Sequence, residues 1–318
     1  MWSEGGPSNL ELRSNEPMNV IVKRVGIFAG GLAGVLAVTA AGVVVGSNRV
    51  IARKYTIAPE TVPIPTDTMS ITRGKHLARA ITKCVDCHGD NLGGRVLVEN
   101  GAMGRWVVAN ITRGKGGVAG SLTDADIVRA VRHAVAPDGR KLLQMPADSY
   151  QYLNAEDLGE IIAYVRSVPP VDNELPPTSI GLVARGLILA NKLPIYRADL
   201  ITHTQPIPAA TPVGPTPEYG KYIASVGGCI GCHGPTLSGG KIADGDPAWP
   251  PAANLTPTGL AKYTEADFTT VLRTGKRQSG VQANDAMPWR MTREMTDDEI
   301  KAVWLFLKTV PPREFGAR

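Results

Sequence analysis

Cys84-Val85-Asp86-Cys87-His88 returns 145 residues later as Cys229-Ile230-Gly231-Cys232-His233. Two cysteines three apart with a histidine directly after them are the attachment pattern of a c-type haem. The thiols add across the two vinyl groups of one porphyrin, and the histidine is then close enough to reach the iron as its proximal ligand. The motif therefore predicts Cys84, Cys87, Cys229 and Cys232 as attachment points for two covalently bound haem c groups, with His88 and His233 as iron ligands.

A CxxC pair also occurs in redox dithiols, and two pairs occur in all-cysteine zinc ribbons. A ribbon places its pairs about 15 to 20 residues apart, whereas 145 residues separate Cys84 from Cys229. A histidine after both pairs is foreign to that pattern too. The chain has four cysteines in all, so haem attachment at these positions leaves no thiol for a structural disulfide.

Outward from the two motifs, the flanks repeat as well. Gly74-Lys75-His76-Leu77 corresponds to Gly220-Lys221-Tyr222-Ile223, and Leu92-Gly93-Gly94 to Leu237-Ser238-Gly239-Gly240. Asn110-Ile111-Thr112 corresponds to Asn254-Leu255-Thr256, Met145-Pro146 to Met287-Pro288, and Val168-Pro169-Pro170 to Val310-Pro311-Pro312. The offsets stay between 142 and 146, which marks one domain duplicated. Each copy carries matching helix signals. Thr123-Asp124-Ala125-Asp126 and Thr264-Glu265-Ala266-Asp267 read as capped helix starts, with Ile127, Val128, Val131 and Val135, and Phe268, Val271 and Leu272, facing inward. Closing helices start at Asn154 and Thr296, bury Leu158, Ile161, Ile162 and Val165 or Ile300, Val303, Trp304 and Leu307, and stop before Pro-Pro. No alternating strand pattern stands out, so the expected class is mainly α.

A haem that only carries electrons has both axial positions filled, and a methionine sulfur raises its potential. Met145 and Met287 are the predicted second ligands. They follow their histidines by 57 and 54 residues, and each precedes a proline that stiffens the loop. Methionine is ordinarily a flexible core filler, and Met103, Met291 and Met295, which have no counterpart in the other copy, are expected to be that. His76 aligns with Tyr222 and is expected to pack between helices, His133 is expected in solvent, and His203 lies between the copies. Asn110 with Thr112 and Asn254 with Thr256 could bond haem propionates or shape the local turn, and Trp106 and Trp249 could wall a haem or pack in the core.

The net charge of +5 raises the question of nucleic acid. Residues 1–54 hold Arg13, Lys23, Arg24, Arg49, Arg53 and Lys54 against Glu4, Glu11 and Glu16, so +3 of the excess lies there. Four ionised propionates add about −4 to the rest, which removes any case for a nucleic-acid partner. Thirty-five glycines and twenty-five prolines with 5% aromatics would make a poor core, but a porphyrin is itself a large apolar body. Val25 to Gly46 has no charged residue and is long enough to cross about 30 Å of hydrocarbon. Thr39-Ala40-Ala41 would serve as a signal cleavage site but lies inside that run, so the expectation is an uncleaved transmembrane anchor. Haem attachment is completed outside the bacterial cytoplasmic membrane, which sets the orientation: haem domains on the periplasmic side of the inner membrane. The expected organisation is a polar segment 1–24 (with Met18 a possible start), anchor 25–46, spacer 47–69, first domain 70–171, linker 172–217 with a short helix within 180–193 packed between the domains, and second domain 218–318.

From Thr72 to Pro312 the chain resembles the mono- and dihaem class I cytochromes c, in particular the cytochrome subunits that partner membrane-bound bacterial dehydrogenases. The resemblance rests on Gly220-Lys221-Tyr222-Ile223 before the second motif, Asn254-Leu255-Thr256-Pro257, and Met287-Pro288 followed by a closing helix and Pro-Pro. It implies two tandem class I cytochrome c domains passing single electrons between a periplasmic donor or dehydrogenase and a respiratory acceptor such as an oxidase or soluble cytochrome. Those subunits carry three haem domains, and this chain has two. Dihaem peroxidases and thiosulfate dehydrogenases share the layout but need an exchangeable iron position, and a haem-bearing subunit of a larger oxidase is the remaining alternative.

Overall fold

A computed structural model of the chain describes residues 16–242, 245–246 and 248–317, with side chains from residue 20 onward. The polar stretch before residue 16, and with it most of the expected N-terminal segment, lies outside the described residues.

The uncharged run forms the middle of one long helix, α1 (Glu16–Ile51), within which Val20–Ile51 is long and apolar enough to cross a membrane. An extended spacer carrying Pro59, Pro63 and Pro65 leads to the first repeat. There α2 (Thr68–His76) continues through one π-helical turn, Leu77–Ile81, into α3 (Cys84–His88). Strands β1 (Arg95–Asn100) and β2 (Gly104–Val108) follow, then α4 (Asp124–His133), α5 (Ala147–Tyr150) and α6 (Ala155–Ser167). The linker contributes β3 (Ser179–Ile180) and α7 (Leu182–Leu189). The second repeat supplies α8 (Pro217–Val226), α9 (Cys229–His233), α10 (Glu265–Thr274), α11 (Trp289–Thr292) and α12 (Asp297–Thr309).

Each repeat is organised by the crossing of its first and last helices. Gly74 on α2 and Gly220 on α8 make that crossing possible, because a Cβ on either would lie 1.9 Å from a backbone oxygen of the partner helix, Glu160 O on α6 or Ala302 O on α12. The closing helices bury the expected faces, including Leu158, Ile162, Ile300 and Leu307. Reciprocal capping boxes hold the starts of α4 and α10, Thr123 with Asp126 and Thr264 with Asp267, satisfying donors that a helix end leaves unpaired.

The expected helix-rich class holds, with one element the sequence did not show and two expectations that need correction. The first repeat inserts a hairpin that joins the linker in an antiparallel sheet of order β1-β2-β3. Most hairpin positions are half-buried on either face and the register slips between Val96 and Val98, so no clean two-residue alternation reaches the sequence. The linker helix does not lie between the domains: α7 packs against the C-terminal end of α1, and a Cβ on Gly46 would meet Leu189 Cδ2 at 3.1 Å. His133 is 2% exposed, not solvated. It faces His203 Nδ1 at 3.2 Å and Glu60 at 3.0 Å, beside the fully buried Arg132, which donates to the same carboxylate.

The two repeats share one apolar core and meet through corresponding positions. His76 Nε2 lies 2.9 Å from both carboxylate oxygens of Glu299, and its counterpart Tyr222 donates to Asp157, the counterpart of Glu299, at 2.5 Å. Asn154 donates to the Tyr222 hydroxyl, and Arg79 donates to Glu294.

Candidate functional site

Both CxxCH motifs form a single helical turn entered through a left-handed residue, Lys83 (φ 56°) in α3 and Gly228 (φ 73°) in α9. That turn sets the two thiols of each pair on one side with the histidine one step beyond. Burial pushes the thiols of Cys84 and Cys229 up and that of Cys87 to about 11. A redox dithiol needs a lowered thiol pKa, so the environment opposes that alternative. Among the described residues no three His, Cys, Asp or Glu side chains group as a metal site.

The histidines are oriented identically. His88 Nδ1 lies 2.8 Å from Ala109 O, and His233 Nδ1 lies 2.8 Å from Ala253 O. A carbonyl only accepts, so Nδ1 carries the proton in both copies and Nε2 carries the lone pair a metal would use. Burial also keeps His88 titrating below its usual range, which favours the neutral ring over the competing pull of the Ala109 carbonyl.

These carbonyls are functional groups that residue types do not announce, and their signal is positional: each directly precedes the repeated Asn-x-Thr. Asn110 Oδ1 accepts from the Thr112 amide and hydroxyl, while Asn110 Nδ2 donates to Val171 O at 2.7 Å. Asn254 and Thr256 repeat the clamp on Arg313 O. Of the two roles the sequence left open, the structure shows turn shaping, with the loop that holds the histidine fastened to the segment after each closing helix.

The methionines are placed by a second repeated device. The amide of Ala147 donates to Met145 O at 2.9 Å, and that of Trp289 to Met287 O at 2.7 Å. Pro146 (φ −82°, ψ 61°) and Pro288 (φ −78°, ψ 49°) sit at the centre of these inverse γ-turns. Proline fixes φ near the value the turn requires, so each sulfur is carried on a stiff corner.

Cys229, Cys232, His233 and Met287 line one cavity of about 700 Å³, walled by Phe268, Leu272, Tyr263 and Leu307. Its size and apolar lining suit a large flat organic cofactor. In the first repeat, Cys84 and Met145 pack against the apolar cluster built from Leu77, Ile81, Val128 and Leu158. Four first-repeat residues, Ala80, Ile81, Lys83 and Asp86, enter the wall of the second cavity. Lys83 Nζ donates to Gly227 O and to Ile81 O, both at 2.8 Å, pinning one attachment turn against the other. Of the remaining candidates, Trp106 packs with Ile188, Ile195 and Tyr196 beneath the linker, and Trp249 is exposed. Met295 is buried in the shared core, while Met103 and Met291 flank the two clusters.

Residues 217–311 match the family model for cytochrome c, and residues 70–165 match that for the cytochrome c oxidase, cbb3-type, subunit III. The chain is 27% identical over 278 residues to the fructose dehydrogenase cytochrome subunit of Gluconobacter japonicus, covering 80% of this chain and 55% of that protein. It is 27% identical over 273 residues to the alcohol dehydrogenase (quinone) cytochrome c subunit of Gluconacetobacter polyoxogenes, covering 77% and 57%. A diheme cytochrome c-type protein of Cereibacter sphaeroides is 26% identical over 258 residues, covering 73% and 83%. The chain thus spans little more than half the length of the first two relatives.

Proposed function

The chain carries two cytochrome c domains, and on that premise we propose that it is a membrane-tethered dihaem electron carrier, passing single electrons from a periplasmic donor through one domain to the other and on to a respiratory acceptor. Cys84, Cys87, Cys229 and Cys232 would hold two haem c groups through thioether bonds, with His88 and Met145 on one iron and His233 and Met287 on the other. Bound there, the iron supplies a reversible one-electron couple.

The observation that carries this reading is the second cavity, where two cysteines, the histidine and the methionine converge and the first attachment turn forms part of the wall. The protein's own work is positional. The carbonyls of Ala109 and Ala253 fix the tautomer and plane of each imidazole. The Met-Pro corners would offer a thioether sulfur to each iron, and an iron so held would have no site for peroxide or substrate, which favours a carrier over a dihaem enzyme. The Lys83 contact keeps the two attachment turns together, as transfer within one chain requires. The apolar middle of α1 supports a membrane tether, and the attachment of haem outside the cytoplasmic membrane is the reason for reading both domains as periplasmic.

The test is spectroscopic. Protein purified from membranes should gain the mass of two haems, show only low-spin six-coordinate iron, and display the weak far-red sulfur-to-iron band when oxidised. A high-spin fraction with rapid peroxide turnover refutes the carrier reading. The names of the relatives favour a second reading, a subunit serving a dehydrogenase. Mild detergent purification decides between them, since a dehydrogenase that copurifies in fixed ratio establishes a complex and a lone chain establishes a free-standing carrier.

A further inference from the structure

Helix α7 reads Leu-Val-Ala-Arg-Gly-Leu-Ile-Leu, without an acidic residue. Ala184 and Ile188 are buried under Trp106 and Tyr196, which uses up one face. The outer face leaves Leu182 49%, Val183 53% and Leu189 45% exposed. A helix bathed in water carries polar residues on that side.

Its position gives the face a partner. The uncharged run ends at Gly46, and its twenty-two residues at 1.5 Å each span about 33 Å, close to the thickness of the hydrocarbon core. α7 packs at that level: Leu189 touches Gly46, and Arg185 donates to Ser47 Oγ at 3.1 Å and Asn48 Oδ1 at 2.6 Å. Val44 and Val45 of α1, directly before Gly46, are exposed as well. Cations outnumber acids around α7. Arg49, Arg53, Lys54 and Lys192 are exposed, while the one acid within 182–200, Asp199, is engaged by Lys141 at 2.5 Å and by the Tyr55 hydroxyl at 2.7 Å.

We propose that α7 is a second membrane contact, lying on the surface of an anionic phospholipid bilayer where α1 leaves it and holding the first domain at a fixed orientation to the membrane. An apolar face ringed by cations is the composition of an interfacial helix, with apolar side chains at the acyl boundary and cations among phosphates. The proposal rests on the reading of α1 as a membrane span and goes beyond it.

The test uses the full haem-loaded chain in nanodiscs containing phosphatidylglycerol, with a nitroxide placed by Leu182→Cys or by Val183→Cys. Leu36→Cys in the middle of α1 and Val213→Cys in the exposed linker serve as references. Expected is a ratio of oxygen to nickel-chelate relaxation at 182 and 183 several-fold above that at 213, falling when phosphatidylcholine replaces the anionic lipid. A ratio equal to that at 213, with position 36 immersed, overturns the proposal and spares the anchor. Position 36 in water overturns both. Shielding of 182 and 183 from both relaxants means that a second copy or another protein covers α7, and that too overturns the proposal, as does a ratio insensitive to lipid charge.

Discussion

The crossing of α8 and α12 makes a sharp prediction because two effects of opposite sign meet at Gly220. Replacing a helical glycine with alanine ordinarily stabilises a protein, by about 1 kcal/mol. In Gly220→Ala the new Cβ would stand 1.9 Å from Ala302 O, 2.3 Å from Ala302 C and 2.8 Å from Val303 N, whereas real Cβ contacts essentially never fall below 3.0 Å. The obstacle is backbone, which cannot rotate aside as a side chain does, so the helices must part by about 1 Å. Overpacking of this kind costs about 1–3 kcal/mol. An approach of 1.9 Å to backbone lies at the upper end of that range, so against a propensity gain of about 1 kcal/mol the net loss should be about 2 kcal/mol, a fall in melting temperature of roughly 8–16 °C for a domain of about 100 residues. Gly186→Ala on α7 is the control, since nothing lies within 4 Å of the added Cβ, and it should match or exceed the parent. The assay is thermal melting of the oxidised haem-loaded protein by circular dichroism, with the far-red band confirming ligation before heating. Gly220→Ala melting at or above the parent temperature would refute the crossing geometry.

Met287→His and Met145→His should each leave low-spin iron but lower the potential of one haem, a different one in each variant, since imidazole replaces thioether; a redox titration in which both lower the same component refutes the ligand assignment. Tyr222→Phe removes the hydroxyl that accepts from Asn154 and donates to the buried Asp157, so stability to guanidinium should drop by about 1–3 kcal/mol, and an unchanged midpoint argues against this interdomain bond. The His133 cluster should make the fold acid-sensitive. Burial holds His133 below its usual range despite the opposing Glu60, and Arg132 and His133 overcome burial to hold Glu60 below the carboxylate range. In both cases the unfolded chain takes up protons first, so this stability is complete above about pH 6.5 and declines as pH falls. Melting followed across that interval should decline less in His133→Gln, and equal slopes refute the assignment.

Features carried by residue type at a fixed place were legible in the sequence. The attachment motifs, the caps at Thr123, Thr264 and Thr296, the inward faces of α6 and α12 and the Met-Pro corners all announce themselves, because each needs a particular side chain at a particular step. What stayed hidden depends on backbone or on distant partners. Any residue could supply the carbonyls of Ala109 and Ala253. The hairpin is half-exposed on both faces. His133 lies among charged neighbours on α4 and looks solvated, until Glu60 and His203 arrive from segments 73 and 70 residues away.

The places where the two repeats differ show what joining them required. A duplicated domain that packs on itself brings like positions together. The like positions here are Asp157 and Glu299, and each takes a partner from the other repeat. The donors differ at one aligned position, Tyr222 for Asp157 and His76 for Glu299. The attachment turns diverge in the same way. The second enters its turn through Gly228, which reaches the left-handed region without strain, and the first enters through Lys83, for which that conformation costs about 1–2 kcal/mol. Glycine would have been locally cheaper, but it has no side chain to span the boundary. The two hydrogen bonds Lys83 makes, one within its own repeat and one to Gly227 O of the other, offset the strain. They also place a lysine between the two CxxCH turns, where the proposed electron path crosses from one domain to the next. At Lys83 the local rule is broken at a contact that a single-domain ancestor would not have needed.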